Sequence, residues 1–290
     1  MMRGTLARLP RAGKACLLAG FLAFAIAPSA GAQVQVDSTV PDSVSAPTHT
    51  ETDRWNYSLG LGAALVPDYE GSEDYKVAPL PVGRVQKGYQ YGQLFGGKIT
   101  SNLLPHPNLR AGLVLNYIPK RDDVENDRVD DLKSVDASLM VGGLVGYDVK
   151  LEPGTLGFEV EVTRDAIDGN DGWLVQPEVR YRRKLNEDWG LHVATTLTYA
   201  SDNYMDSYFS VDAADSARSG LSQFNADAGI KDVGANAALT YSFSEHWAAG
   251  GILAYKRLLN DAEDSPVTKV GDENQYVAGV FFTYSWQGGD

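Results

Sequence analysis

The side chains with the most chemical potential are five charges on two neighbouring stretches: Glu159, Glu161, Glu178, Arg180 and Arg182. In each stretch the charges occupy alternate positions, so an extended chain aims each set to one side. A hairpin through residue 168 lays the two stretches side by side and sets three carboxylates against two guanidinium groups. Such a group of charges can zip into a buried salt-bridge network, or it can line an aqueous path and bias which ions enter. Residue order alone leaves both uses open.

Other candidates for chemistry are weaker. Of the four histidines, His49, His106, His192 and His246, none is spaced with another histidine or a carboxylate pair as metal binding requires. His192 has no serine within its own stretch, which argues against an acyl-transfer pair. Asp168-Gly169-Asn170-Asp171-Gly172 has the composition of a calcium loop but lacks the alternate spacing and distal Glu of an EF-hand, so it reads as a tight acidic turn. The expectation is a protein with no catalytic residue, no metal and no cofactor.

The elements that would position the five charges follow a period of two. Trp55, Tyr57, Leu59, Leu61, Ala63 and Leu65 share one face, with Asn56, Ser58, Gly60 and Gly62 opposite. Alternating runs of this kind recur at Leu109 to Tyr117, Val135 to Val149, Leu156 to Val162, Trp173 to Tyr181, Trp189 to Tyr199, Val233 to Phe243, Trp247 to Tyr255 and Tyr276 to Trp286. Each reads as a strand. Alternation alone would also suit a soluble sandwich. The aromatic residues discriminate, because Trp55, Tyr117, Trp173, Trp189, Tyr199, Tyr241, Trp247, Tyr255, Tyr284 and Trp286 cluster at strand ends on the apolar face. That is the double girdle of a transmembrane β-barrel, whose opposite face lines a polar lumen. On this reading Arg on the apolar face at Leu139 or Val141 is costly, and Arg at Ser138 on the polar face is tolerated.

Adding residues 79 to 86 and 89 to 95 gives eleven strands, whereas single-chain bacterial barrels have even numbers. The missing strand fits at Lys98 to Leu103, after Gly96-Gly97. The expected fold is therefore all-β: an antiparallel barrel of twelve strands, with ten as the alternative, over residues 55–286. Short turns then fall on the periplasmic side and long loops on the other. The outer loops, residues 66–77, 119–133, 165–172, 201–232 and 260–274, carry -16 of the -17 that remains once residues 1–32, with their four positive charges, are taken from a chain whose formal charge is -13. Outer-membrane lipid and lipopolysaccharide, through shared divalent cations, are the partners this suggests. Duplex nucleic acid is excluded by the same charge.

The N-terminus reads as an export signal. Arg3, Arg8, Arg11 and Lys14 precede an apolar run from Ala15 to Ala27, and Ala30-Gly31-Ala32 follows, so residues 1–32 have the parts of a cleaved signal peptide. The run is too short to span a bilayer, and a mean hydropathy of -0.24 excludes a bundle of membrane helices. The one cysteine, Cys16, would leave with the signal. Residues 33–54, with Pro41 and Pro47, read as a flexible lead-in. The mature chain is then expected in the outer membrane of a Gram-negative envelope, as a monomer or weak oligomer.

Three sets of residues add a resemblance. Pro67-Asp68-Tyr69-Glu70-Gly71-Ser72 precedes Ala78-Pro79-Leu80-Pro81. Tyr208-Phe209-Ser210-Val211 comes with Ser219-Gly220-Leu221 and Asp232. Arg257-Leu258-Leu259 leads into Asp261-Ala262-Glu263-Asp264-Ser265-Pro266-Val267. Together, over about residues 55 to 286, these resemble the MipA/OmpV family of outer-membrane proteins. The resemblance implies a barrel that scaffolds murein-synthesising or murein-hydrolysing enzymes, or alternatively a surface protein or passive diffusion pore for small solutes. Two departures are Ser210, where the family pattern suggests Gly, and four residues beyond Trp286, where barrels commonly end on an aromatic.

Overall fold

The computed structural model describes residues 54–288. The signal peptide read at 1–32, the lead-in up to residue 53, Cys16 and His49 lie outside the described residues. Among the described residues there are twelve strands: β1 (Asn56–Pro67), β2 (Tyr75–Lys87), β3 (Gln90–Phe95), β4 (Lys98–Asn102), β5 (Leu109–Ile118), β6 (Ser138–Leu151), β7 (Gly154–Asp165), β8 (Trp173–Lys184), β9 (Trp189–Ala200), β10 (Gly229–Ser242), β11 (Trp247–Leu258) and β12 (Asn274–Gln287). Each pairs antiparallel with the next, and β12 returns to β1 to close the barrel. The strand inferred after Gly96-Gly97 is β4, so the count is twelve and not ten. No helix among the described residues is long and apolar enough to cross a membrane.

The burial pattern is inverted relative to a soluble protein. In β7, Phe158, Val160 and Val162 are exposed, while Glu159, Glu161 and Thr163 are buried. Apolar side chains outside and polar ones inside cost free energy in water and gain it in lipid. Aromatic rings pack along both rims of this outward face. Trp55, Tyr57, Trp286 and Tyr284 form a chain of contacts on the turn side, continued by Trp247 against Tyr284 and by Trp189 stacked on Tyr241 at 4.7 Å. Trp173 on Tyr199 and Tyr255 on Tyr276 mark the loop side. The wall between them is the apolar band; Val141, expected near a strand midpoint, is the fourth residue of β6 and lies near the loop-side rim, whereas Arg in place of the mid-strand, outward Val145 should cost about 2–4 kcal/mol in urea titrations of barrel refolded into liposomes. A cost of about 0–1 kcal/mol, the value near an interface, would mean the band is misplaced.

Three expectations need correction. The run read from Val135 begins as a strand only at Ser138; Val135 is buried 5% exposed in the outer loops, bridged to Arg121. Ser138 is on the polar face as expected, yet it is fully buried, and its hydroxyl accepts from Asn170 Nδ2 at 2.8 Å. Arg there would displace the 165–172 turn and is not the tolerated change the alternation suggested. The interior is also not polar all round. Leu80, Val82, Phe95, Ile252 and Phe281 pack with Ala64, Val66, Ala78 and Ala238 into an apolar cluster on the inner face of β1–β3 and β10–β12, with Phe95 edge-on to Phe281 at 5.8 Å.

The outer loops fold into a cap. It holds five short helices, α1 (Asp127–Asp130), α2 (Asp202–Phe209), α3 (Ala213–Ser219), α4 (Asp261–Asp264) and α5 (Pro266–Lys269). Three of the five are capped by side chains: Asn126 accepts from the backbone of Arg128 and Val129 at α1, Asp212 from Asp215 at α3, and Ser265 from Val267 at α5. Tyr204, Met205, Tyr208 and Phe209 of α2 pack against Ile118, Met140, Leu258 and Ala262 at the barrel mouth. Tyr69, Val124, Val129, Leu132, Val211, Leu221 and Val267 form a second cluster above.

Candidate functional site

Four of the five charges singled out in the sequence, Glu159, Glu178, Arg180 and Arg182, lie in one ion-pair network on the inner wall, from mid-strand towards the turn side, and the fifth, Glu161, is paired beside it. The β7–β8 register sets Glu159 opposite Glu178 and Gly157 opposite Arg180. Arg180, only 2% exposed, is within 3.3 Å of Glu159, 3.0 Å of Glu178 and 3.2 Å of Asp148. Arg182 reaches Asp148 at 2.7 Å. Glu161 stands a step further along β7 and pairs with Lys98 of β4 at 2.8 Å. Three members were not singled out by the sequence: Arg110 of β5, which meets Glu159 at 2.8 Å and Asp148 at 3.4 Å, Asp148 of β6, and Lys98. Each occupies the polar parity of its strand, so the signal was present but needed the pairing of β4 through β7 to be read.

The guanidinium groups lie flat on the wall because two facing positions have no side chain. A Cβ on Gly146 would fall 2.7 Å from Arg110 Nη2, and one on Gly157 would fall 2.9 Å from Arg180 Nε. Towards β2 the network continues through Tyr91, whose hydroxyl accepts from Arg110 Nη1 at 3.4 Å and whose ring lies 4.2 Å beneath the Arg84 guanidinium. Arg84 is buried and donates to Gln86 and Gln93. The inner wall therefore has a charged side, β4 to β8, facing the apolar cluster of β1–β3 and β10–β12. Arg180, Phe95, Phe281 and Leu80 are each 2% exposed or less, so both sides are packed against other side chains and not against bulk water.

The remaining sequence candidates do not join into a site. His192 is buried opposite Arg182 in the β8–β9 register, and neither ring nitrogen has a hydrogen-bond partner among the described residues. His106 accepts from Asn108 and Leu109 to shape the turn before β5, and His246 contacts the Ser285 carbonyl. In the 165–172 turn the Asp165 carboxylate accepts backbone N–H bonds from Ile167, Asn170 and Asp171. Those N–H groups give the turn its shape.

The three sets of family-like residues, far apart in sequence, converge in the cap. Ser265 Oγ donates to the Phe209 carbonyl at 2.6 Å. Glu70 is the centre of the joint between cap and wall: it accepts from Lys231 of β10, from Lys256 of β11 at 3.0 Å and from the Tyr204 hydroxyl at 3.2 Å. Lys231 also pairs with Asp232 at 2.6 Å. Burial alone would push the Glu70 carboxyl up, but the two ammonium groups outweigh it and hold the pKa at about 2. Because this folded-state value lies below the ordinary one, the stabilisation is complete above the ordinary carboxylate range and is lost as pH falls through it towards about 2. Pepsin digestion followed downwards from pH 5 should therefore expose the outer loops progressively in the wild type. Normalised to pepsin cleavage of an unfolded control at each pH, Glu70→Gln should begin more susceptible and change less with pH than wild type; normalised wild-type cleavage that rises with pH would contradict the assignment.

A closed antiparallel barrel with an inverted burial pattern, two aromatic rims and a packed interior defines an outer-membrane β-barrel protein. The chain matches the family described as MltA-interacting protein MipA over residues 59–286, and it belongs to that family. Among curated proteins it is similar to YiaT of Escherichia coli K12 and of Escherichia coli O157:H7, named as an outer membrane protein, at 26% identity over 236 residues, 79% of this chain and 90% of the relative. Among solved structures it is similar to the COG4313 outer membrane channel of Pseudomonas putida F1, with a TM-score of 0.45 and 11% identity over 86% of this chain and 100% of that one. The outer membrane channel DcaP of Acinetobacter baumannii is more distant, with a TM-score of 0.36 and 11% identity over 80% of this chain and 96% of that one.

Proposed function

We propose that the protein is a non-enzymatic scaffold of the cell envelope, a closed barrel that holds a murein hydrolase or synthase at the periplasmic side of the outer membrane. The observation that carries this reading is the filled interior: the Arg180 network on one side, Phe95 and Phe281 on the other, and a packed cap over the mouth. A diffusion pore for small solutes needs a continuous wet path, and charges lining such a path stay hydrated instead of meeting one another at salt-bridge distance. The five charges, Glu159, Glu161, Glu178, Arg180 and Arg182, then serve to hold the wall rigid. The description of the family, as interacting with MltA, supports a protein partner. The test is affinity purification of the tagged barrel from mildly solubilised envelopes. A murein-processing enzyme should co-purify at a fixed ratio and be lost when the periplasmic turns at 103–108 and 185–188 are exchanged for unrelated turns. Recovery of the barrel with no such enzyme would contradict the scaffold.

A further inference from the structure

We propose that the turn-side end of the lumen is the docking site of the chain's own acidic stretch, residues 33–53. The inference rests on charge and strand register and is independent of the scaffold reading. In the ion-pair network, Asp148, Glu159 and Glu178 are matched by Arg110, Arg180 and Arg182. Further inward positions on this half of the wall add Arg84, Lys150 and Lys184 and, among the described residues, no further acid. The lumen therefore ends in a positive mouth, in a chain whose formal charge is -13. Strand register locates the site within that mouth. Lys150 lies opposite Thr155, Thr155 opposite Arg182, Arg182 opposite His192 and His192 opposite Ala238, so one row crosses from β6 to β10.

The chemistry of the row selects a peptide. His192 is 1% exposed, and neither ring nitrogen has a hydrogen-bond partner among the described residues. A neutral imidazole carries one N–H donor and one acceptor nitrogen, and buried groups of that kind are normally paired. A bare anion supplies acceptors alone. A peptide supplies N–H and C=O groups together with the carboxylates it carries. Residues 33–53 hold Asp37, Asp42, Glu51 and Asp53 and neither Lys nor Arg. They also join the barrel at the right end: the Trp55 carbonyl accepts from the Gly288 N–H at 2.8 Å, and the Trp55 ring lies 5.8 Å from the Lys87 ammonium, both at the turn-side rim. From β1 to β9 is four strand spacings around the wall, about 19 Å. The 21 residues of 33–53 reach about 70 Å when extended. A tether of that kind gives its acids an effective concentration on the order of millimolar at the mouth, which any free peptide or solute has to exceed.

The test places a single thiol in the stretch, Ser43→Cys, since residues 33–290 contain no other cysteine. The barrel is purified in mild detergent, checked for the heat-dependent gel shift of a folded barrel, and labelled with a bulky maleimide. Labelling should be about tenfold slower than in the same chain carrying Lys150→Glu and Lys184→Glu, two exposed side chains outside the ion-pair network. Asp37→Asn with Asp42→Asn, which leaves the barrel itself untouched, should speed labelling likewise, and high salt should narrow the difference. Equal rates across the three chains would overturn the proposal. Slow labelling that is lost on dilution would also overturn it, in favour of a stretch supplied by a second copy.

Discussion

Arg180→Ser should cost the folded barrel about 3–5 kcal/mol, the range for removing one partner from a buried ion cluster. Arg180 lies between Glu159, Glu178 and Asp148, and its loss leaves Glu159 and Glu178 facing each other across β7 and β8. Urea unfolding in liposomes measures the loss. Arg182→Ser should cost less, because that side chain is partly solvated and its partner Asp148 keeps Arg110 and Arg180. Adding Glu178→Gln to Arg180→Ser should recover part of the stability, a coupling that a volume effect would not produce. Equal costs for the two arginines, with no recovery, would show that the network does not hold the wall.

Phe209→Ala should cost a comparable amount, about 3–5 kcal/mol for a buried phenylalanine, but the loss should appear in the cap. Phe209 is fully buried among Tyr204, Met205, Leu258 and Ala262, and its ring touches the wall only at the mouth. Limited proteolysis should cut the 201–228 loop rapidly in the variant while the barrel keeps its heat-dependent gel shift, since the strand ladder is a separate cooperative unit. A loop as resistant as wild type would mean that the cap does not depend on this core. Loss of the whole barrel would mean that cap and wall fold as one.

The wall was legible in the sequence because a strand needs only a period of two, and β6 to β12 keep it over 12 to 14 residues each. The aromatic rims then separated a membrane barrel from a sandwich. The apolar side of the interior was harder to read, because Phe281 and Phe282 are adjacent and apolar yet face opposite sides, and because Leu80 and Val82 stand among prolines that mask the alternation. The cap left almost no periodic trace. Its helices are four to eight residues long, too short for a helical period, and its core joins residues as distant as Tyr69 and Val267. The candidate charges were found from parity alone, but their partners Arg110, Asp148 and Lys98 required knowing which strands adjoin.

The central claim, that the interior is closed, is tested most directly by conductance in planar lipid bilayers. Wild type should insert and stay silent, and the Arg180→Ser/Arg182→Ser double variant should open a leak by breaking the network, with Glu159, Glu161 and Glu178 favouring cations in asymmetric salt. A sustained wild-type conductance whose reversal potential shifts towards cations in the double variant would contradict the closed barrel and make the same five charges the lining of a pore.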